Sequence, residues 1–152
     1  MLLPLILGGF TVVLSMAIQV AAVVLMVRYV IGIMADPHRE TDNFSFDTLV
    51  LSAVLLLLFA GHLAQIAIWG ALFVQVGEFD SFQTAFYHSA VNFAALGYGD
   101  IVMSEKWRLL GALEAGNGVL MFGLSAGTIF AVMTRLFARR KSSATLENGR
   151  KN

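Results

Sequence analysis

Three long apolar stretches constrain the fold of this 152-residue chain more than any other feature of its sequence. They cover residues 2–34, about 47–76 and 107–137, and each holds few charged residues. A helix that crosses the hydrocarbon core of a bilayer needs about 20 predominantly apolar residues, so each stretch is long enough to span a membrane. Charged residues make up 13% of the chain, against about a quarter in soluble domains. The sequence therefore predicts an all-α membrane protein with three transmembrane helices.

The chain divides into four regions at the breaks between these stretches. Residues 1–34 are predicted to form an N-terminal transmembrane helix at the periphery of the protein, and residues 35–46 a short polar cytoplasmic loop. Residues 47–137 hold the second and third spanning helices, and residues 138–152 are predicted to form a basic, disordered cytoplasmic tail. The first stretch is too long, and its start too poor in Lys and Arg, for a cleaved signal peptide.

A short semi-polar segment lies between the second and third spanning helices. Residues 77–80 interrupt the apolar pattern, and residues 81–93 then read as a helix that is too short to cross a bilayer. Either Asp80 or Ser81 is suited to cap the start of this helix. Irregular backbone after such a helix is tolerated at membrane depth only where protein buries it or where it faces water. The pattern therefore predicts a re-entrant helix followed by a loop.

The loop after the short helix, residues 95–100, reads Ala-Leu-Gly-Tyr-Gly-Asp, with two glycines flanking one aromatic residue. Glycine enters φ > 0 at little cost, so this backbone is able to alternate between left-handed and right-handed conformations. Such alternation turns successive carbonyl oxygens to one side, and four copies around an axis form rings of oxygens that replace the water shell of a cation. Each chain supplies one such segment, so the loop predicts a homotetramer around an ion pathway.

Residues 81–131 resemble the pore module of potassium channels, in which a pore helix, a filter and an inner helix follow an outer helix. The filter of that family reads Thr-Val-Gly-Tyr-Gly-Asp, which residues 95–100 resemble with Ala in place of Thr. The resemblance implies that residues 47–137 form the pore module of a passive, potassium-selective channel, with no cofactor besides the permeant ion. It also implies that K⁺ binds to backbone carbonyls of the filter residues Ala95, Leu96, Gly97, Tyr98 and Gly99.

Ala in place of Thr leaves two alternative functions open. The Thr hydroxyl that helps to form the innermost ion site in that family is absent, because the side chain of Ala95 has no oxygen. A weakly selective cation channel and a non-conducting, channel-like accessory subunit are therefore the alternatives. Enzyme activity is not expected, because His62 and Glu114 are the only candidate pair for an intramembrane hydrolase and no nucleophile motif accompanies them.

The resemblance also assigns a set of residues that support the filter. Tyr98 is expected to point away from the pore and to pack on the pore helix, where Tyr87 and His88 take the places of the aromatic residues of that family. Glu114 lies within the third spanning helix, where a charge is costly and usually functional. It is expected to bond to the pore helix behind the filter, and the alternative is that it reaches water at the interface. The expected supporting residues are Tyr87, His88, Ser89, Asn92, Asp100 and Glu114, of which Ser89 and Asn92 are the candidate partners of Glu114.

The third spanning helix corresponds to the inner helix of that family and is expected to provide the cavity and the gate. Gly118 aligns with the glycine at which inner helices of the family bend, although close packing between helices explains a glycine here equally well. The resemblance places Val119, Phe122 and Ala126 on the side that faces the cavity, with Phe130 nearer a cytoplasmic constriction.

Two polar residues lie at comparable depth in the first two spanning helices. His62 is a candidate pH sensor, because histidine titrates near physiological pH. A plain interhelical hydrogen bond that involves Gln19 explains both residues better, since polar side chains inside a bilayer seek each other. The sequence therefore predicts a structural role for this pair.

Basic residues predict the orientation of the helices. Of the ten Lys and Arg residues, eight lie near the 28–46 segment or the C-terminal tail, and only Lys106 and Arg108 lie on the opposite side. Cytoplasmic segments are enriched in Lys and Arg, so we expect a multi-pass protein of the inner cell membrane with its N-terminus outside and its C-terminus in the cytoplasm. A net charge of zero gives a nucleic-acid partner no electrostatic support. The expected partners are the lipid bilayer, K⁺ and further copies of this chain.

Overall fold

Within the described residues the fold consists of four helices, three of them long. The computed structural model describes residues 2–34 and 44–151, with side chains described for residues 2–33 and 45–138. Three segments within the long helices are apolar enough to cross a membrane, and the predicted architecture of three spans with a short helix between the last two is confirmed. The helices are α1 (Leu2–Met34), α2 (Phe44–Gln75), α3 (Phe82–Phe93) and α4 (Arg108–Lys151), and the spanning segments are Leu2–Ile33, Ser45–Gln75 and Arg108–Ala138.

A left-handed residue ends α2 and turns the chain toward α3. Gly77 has φ 74°, and its N–H donates to the carbonyl of Val74 at 3.0 Å. The N–H of Glu78 donates to the carbonyl of Phe73, also at 3.0 Å. These two bonds form a Schellman motif, which satisfies carbonyl groups that the end of a helix leaves unpaired. The carbonyl groups of Phe73 and Val74 therefore keep hydrogen-bond donors where α2 ends.

The short helix α3 packs between α2 and α4. Gly70 permits a close approach, because a Cβ atom at this position would lie 3.2 Å from backbone atoms of Phe86. Aromatic and aliphatic side chains from all three helices fill the contact, and the indole of Trp107, directly before α4, closes one side of it. The buried residues of this cluster are Ile66, Trp69, Phe73, Ala85, Phe93, Trp107, Leu110 and Met121.

The first helix packs against both α2 and α4. Gly8 lies close to α4, since a Cβ atom there would come within 2.5 Å of the Leu113 side chain. Farther along the chain, side chains from α1, α2 and α4 bury one another in a second apolar cluster. Its buried residues are Met26, Val30, Val50, Val54, Leu58, Val132 and Leu136. The predicted cytoplasmic loop 35–46 lies largely outside the described residues, so its placement stays a prediction.

The helix α4 continues beyond the membrane-spanning segment. The sequence predicts a disordered tail from residue 138, whereas the structure has helix to Lys151, so this prediction is wrong. Residues 138–148 contain no Pro or Gly, and Ala, Arg, Lys, Leu and Glu in this segment all favour helix. Helical propensity therefore outweighs the polar composition on which the prediction rested.

Candidate functional site

The N-terminus of α3 is capped as its sequence predicts. Ser81 has extended backbone angles, φ −123° and ψ 139°, and its hydroxyl oxygen accepts a hydrogen bond from the N–H of Thr84 at 3.1 Å. A serine in this position satisfies one of the donors that the first helical turn leaves free. Of the two predicted caps, Ser81 rather than Asp80 fills the position, and α3 begins at Phe82.

The C-terminus of α3 leads directly into the glycine-containing loop through a second Schellman motif. The N–H of Ala95 donates to the carbonyl of Asn92 at 2.8 Å, and the N–H of Leu96 donates to the carbonyl of Val91 at 3.0 Å. Ala95 is the left-handed residue of this motif, with φ 54°. Glycine usually takes that position, so an alanine here does not predict this turn.

The backbone of the loop alternates in handedness at every second residue. Ala95, Gly97 and Gly99 have φ values of 54°, 62° and 73°. Alternation at the two glycines is confirmed, and the structure extends it to Ala95. A Cβ atom at Gly97 or Gly99 would meet nothing within 4 Å in the chain. Glycine is therefore required here by the left-handed backbone and not by a lack of space.

A hydrogen bond joins the last residue of the loop to the middle of α3. The hydroxyl of Tyr87 donates to Oδ2 of Asp100 at 2.7 Å. This bond lowers the pKa of Asp100 and raises the pKa of Tyr87, because it favours the ionised carboxylate and the protonated phenol. The predicted supporting residues Tyr87 and Asp100 therefore lie together.

The His88 ring is buried in the chain, whereas the Tyr98 side chain is exposed. The His88 ring is buried against Phe73 and Phe79, with ring centroids 5.8 and 5.0 Å apart, and Asn92 Nδ2 donates to its Nε2 at 2.9 Å. The Tyr98 side chain is 65% exposed, so the expectation that it packs on the pore helix is not met within one chain. His88 follows Tyr87 in α3, and successive side chains of a helix are about 100° apart around its axis. The Tyr87 side chain is directed to the loop, and the His88 side chain is directed to α2.

Glu114 is buried behind α3, where its carboxyl bonds to Ser89. Ser89 Oγ contacts Glu114 Oε1 and also lies 2.8 Å from the carbonyl of Ile66, so this serine links α2, α3 and α4. The Asn92 side chain also interacts with the carboxyl. Glu114 is 0% exposed, which excludes the alternative that it reaches interface water. The predicted contact with the pore helix is confirmed.

Gly118 lies where α4 meets the end of α3. A Cβ atom at this position would come within 1.9 Å of the Phe93 carbonyl oxygen and 2.7 Å of the carbonyl carbon. The glycine therefore allows backbone-to-backbone contact, and α4 is a continuous helix through this residue. Close packing, one of the two predicted explanations for Gly118, accounts for this geometry.

One face of α4 is open in the single chain. The residues predicted to face the cavity lie on this face and are all exposed, whereas the opposite face is buried against α1 and α2. Phe122 also touches the end of α3, with its ring centroid 5.7 Å from that of Phe93. The exposed residues of this face are Val119, Phe122, Ala126 and Phe130.

Two further groups of polar residues have partners that the sequence reasoning missed. Glu78 accepts from the backbone N–H and from the hydroxyl of Ser104, the latter at 2.7 Å. This carboxyl therefore connects the α2–α3 linker to the loop before α4.

His62 and Gln19 are joined through Ser125 rather than directly. His62 and Glu114 have separate partners, so the geometry does not assemble the hydrolase pair. Ser125 is an isolated polar residue in an apolar stretch, and this was the sequence signal that could have indicated its role as a partner of Gln19 and His62.

These features define an integral membrane protein with a re-entrant helix and an alternating loop between its last two spans. Residues 48–135 match the family model described as "Ion channel", which is the type built on the potassium-channel pore module. The match covers more than half of the chain, and the chain belongs to this ion channel family. No curated protein and no solved structure matches the chain significantly.

Removing the Tyr87 hydroxyl is expected to raise the pKa of Asp100. The hydrogen bond holds this pKa below its ordinary value, so the carboxylate is kept until the pH falls through that lowered value. In Tyr87→Phe the carboxylate is lost at a higher pH, which a carbon-13 NMR titration of the Asp100 carboxyl measures. Tyr29→Phe, on α1, is the control. An unchanged Asp100 titration in Tyr87→Phe would contradict the assignment.

Adding a methyl group at Gly118 is expected to destabilise the protein. The new Cβ atom would overlap the Phe93 carbonyl, and overpacking of this kind typically costs about 1–3 kcal/mol. Gly116→Ala is a matched control on the same helix, because a Cβ atom there meets nothing within 4 Å. Thermal unfolding of the purified protein in detergent compares the two. Equal midpoints would show that the contact with Phe93 is not tight.

Replacing Glu114 separates its hydrogen bonding from its shape. Glu114→Gln keeps an oxygen that bonds to Ser89, whereas Glu114→Leu keeps a similar volume and loses the bond. Hydrogen bonds between helices in membranes contribute about 1 kcal/mol, so the Leu variant is expected to be less stable than the Gln variant by about this amount. Chemical unfolding in mixed micelles measures the difference, and a Leu variant as stable as the Gln variant is the contrary result.

Proposed function

We propose that this chain assembles as a homotetramer that conducts K⁺ passively down its electrochemical gradient. The observation that carries the proposal is the left-handed backbone at every second residue from Ala95 to Gly99. This segment directly follows α3, a helix that is too short to cross a membrane. Membership of the ion channel family supports the general function. The preference for K⁺ rests on the Gly-Tyr-Gly-Asp segment and on the chemistry of carbonyl rings.

The pairing of backbone groups supports a cation as the partner of this loop. Among the described residues, no backbone N–H of the loops or helix ends donates to a carbonyl of residues 95–99. Residues 95–99 are exposed in the single chain, and assembly of four chains would remove their carbonyl groups from water, where a carbonyl without a donor is costly. A dehydrated cation on the axis of four chains would satisfy them, and the filter residues Ala95, Leu96, Gly97, Tyr98 and Gly99 are proposed to bind it.

Exposed side chains support a tetramer. Tyr98 and the open face of α4 are largely apolar surfaces that a single chain leaves uncovered. Three further copies around an axis along the open face would cover Tyr98 and enclose a cavity lined by Val119, Phe122 and Ala126. Phe130, on the same face nearer the cytoplasm, is proposed as the constriction, and Gly118 as the point where α4 bends when the pore opens.

Ala94 and Ala95 favour a second candidate function, a weakly selective cation channel. Neither side chain carries a hydroxyl, so the innermost ion site of the proposed tetramer lacks up to four oxygens that the family's Thr supplies. Carbonyl sites farther along the filter do not depend on these side chains, which is why we prefer a potassium-selective channel to a weakly selective one.

The protein is proposed to lie in the inner membrane with its N-terminus outside.

Ion flux into liposomes tests the function directly. Purified tetramer is expected to admit rubidium-86 in preference to sodium-22, with block by barium. Gly99→Ala is the control, because Ala at φ 73° costs about 1–2 kcal/mol per residue and should abolish selective flux. Equal rubidium and sodium flux would favour the weakly selective channel. A folded tetramer without flux would favour the accessory subunit.

Restoring the hydroxyl tests the role of residue 95. Ala95→Thr is expected to strengthen barium block from the cytoplasmic side by several-fold, because four hydroxyls add ligands to the innermost site. Thr must adopt the left-handed conformation of Ala95, which a branched side chain disfavours, so tetramer yield is measured alongside block. Unchanged block in intact Ala95→Thr tetramers would contradict the proposed position of this site.

A further inference from the structure

A chain of buried hydrogen bonds connects α1 to the other two spanning helices. Gln65 Nε2 donates to Gln19 Oε1 at 2.7 Å, and Gln19 Nε2 donates to Ser125 Oγ at 2.9 Å. Ser125 Oγ lies 3.0 Å from His62 Nε2. All four side chains are buried, and both glutamines are fully so. One residue of α1 therefore bonds to both α2 and α4.

Ser125 joins Gln19 and His62 through a single oxygen atom. The Ser125 hydroxyl oxygen accepts from Gln19. Its other partner among the described residues is His62 Nε2, and the tautomer of the ring decides which of these two atoms donates. Loss of Gln19 thus removes the donor that orients Ser125, and loss of Ser125 leaves the Gln19 amide without its acceptor. Removing either residue breaks this hydrogen-bonded connection between α1 and α4 and leaves their apolar contacts in place.

A space on α2 is shaped for the Gln19 side chain. Gly61 faces it, and a Cβ atom there would lie 3.3 Å from Gln19 Oε1 and 3.7 Å from the Ala22 side chain. A larger residue at Gly61 would push α1 away from α2. The polar chain is therefore accompanied by close approach of the helices, as is usual where small residues lie between membrane helices.

The chain of bonds ends beside two aromatic rings, that of Phe122 on the open face of α4 and that of Phe93 in the buried core. The His62 ring centroid lies 4.8 Å from that of Phe122 and 5.8 Å from that of Phe93. Phe93 is the last residue of α3, two positions before Ala95, and its carbonyl contacts Gly118. Phe122 belongs to the open face of α4. His62 therefore lies between the buried polar chain and the residues at the inner end of the filter.

From this geometry we propose that α1 is a positioning arm of the pore, in which Gln19 acts through Ser125 and His62 to set the placement of α4 and of the Phe122 ring. The proposal rests on the proposed function, because the consequence is a change in gating. Gln19 does not touch the ion path, so it affects how often the pore is open and not which ion passes. Conductance and selectivity depend on the filter, which is unaltered.

A double-mutant cycle in planar bilayers tests the arm. Gln19→Met and Ser125→Ala are each expected to change the open probability of tetramers by about threefold or more in the same direction, as expected for the loss of one interhelical bond. The double variant is expected to match the larger single change, because both substitutions break the same connection. Single-channel conductance and the potassium-to-sodium permeability ratio are expected to stay at wild-type values.

Thr128→Val is the matched control, since the Thr128 hydroxyl bonds to the carbonyl of Leu124 within its own helix. Its open probability should equal that of the wild type. Unchanged gating in Gln19→Met tetramers overturns the arm, and so does an additive double variant. If Gln19→Met fails to assemble, Gln19→Asn, which keeps the amide but is too short to hold both partners, replaces it.

A spectroscopic readout separates failure of the arm from failure of the proposed function. The chain has three histidines, so nitrogen-15 signals of the His62 ring are resolvable in labelled protein whether or not it conducts. Gln19→Met is expected to shift the His62 Nε2 signal, and Thr128→Val is not. A wild-type tetramer without flux overturns the proposed function alone. An unshifted His62 signal in Gln19→Met overturns the arm, whatever the wild type conducts.

Discussion

Backbone hydrogen bonding in a medium without water is the constraint on which the rest of this structure depends. A helix satisfies its own N–H and C=O groups, whereas a loop at membrane depth must find partners elsewhere. The chain meets this requirement at both ends of the re-entrant segment with the same device, a Schellman motif after α2 and another after α3. The Ser104 hydroxyl, after the alternating loop, donates to the Glu78 carboxyl, before α3. Among the described residues, no backbone N–H of the loops or helix ends donates to a carbonyl of the alternating loop.

Small and polar residues hold α3 in place where apolar burial alone would not. Lipid tails are as apolar as the helices, so association in a bilayer depends on close packing and on polar contacts. Gly70 and Gly118 bring α2 and α4 to the backbone of α3, and Ser89 bonds to groups on both neighbours. The position of the loop is thus set by contacts on two sides of the helix that precedes it.

Much of this arrangement is readable in the sequence because it follows from chain-local rules. Length and hydropathy define the spans, Ser81 marks the start of α3, and the two glycines mark the left-handed backbone of the loop. A buried carboxyl group such as that of Glu114 must find a partner, and Ser89 lies within reach. In contrast, the placement of Ser125 between Gln19 and His62 depends on which faces of three helices meet. The direction of the His88 side chain depends on the rotation of α3 about its axis. The length of α4 depends on the helical propensity of residues 138–148, which the polar composition of this segment does not reveal.

The left-handed alanine at the base of the loop has a consequence for how the site keeps its shape. A residue with a side chain disfavours this conformation by about 1–2 kcal/mol, and Ala95 adopts it at φ 54°. The preceding helix end imposes it through the bonds to Val91 and Asn92. The end of α3 therefore holds Ala95 in a disfavoured conformation. If the last turn of α3 loosened, this residue would relax first, so the end of the loop next to α3 would lose its shape before the end at Asp100.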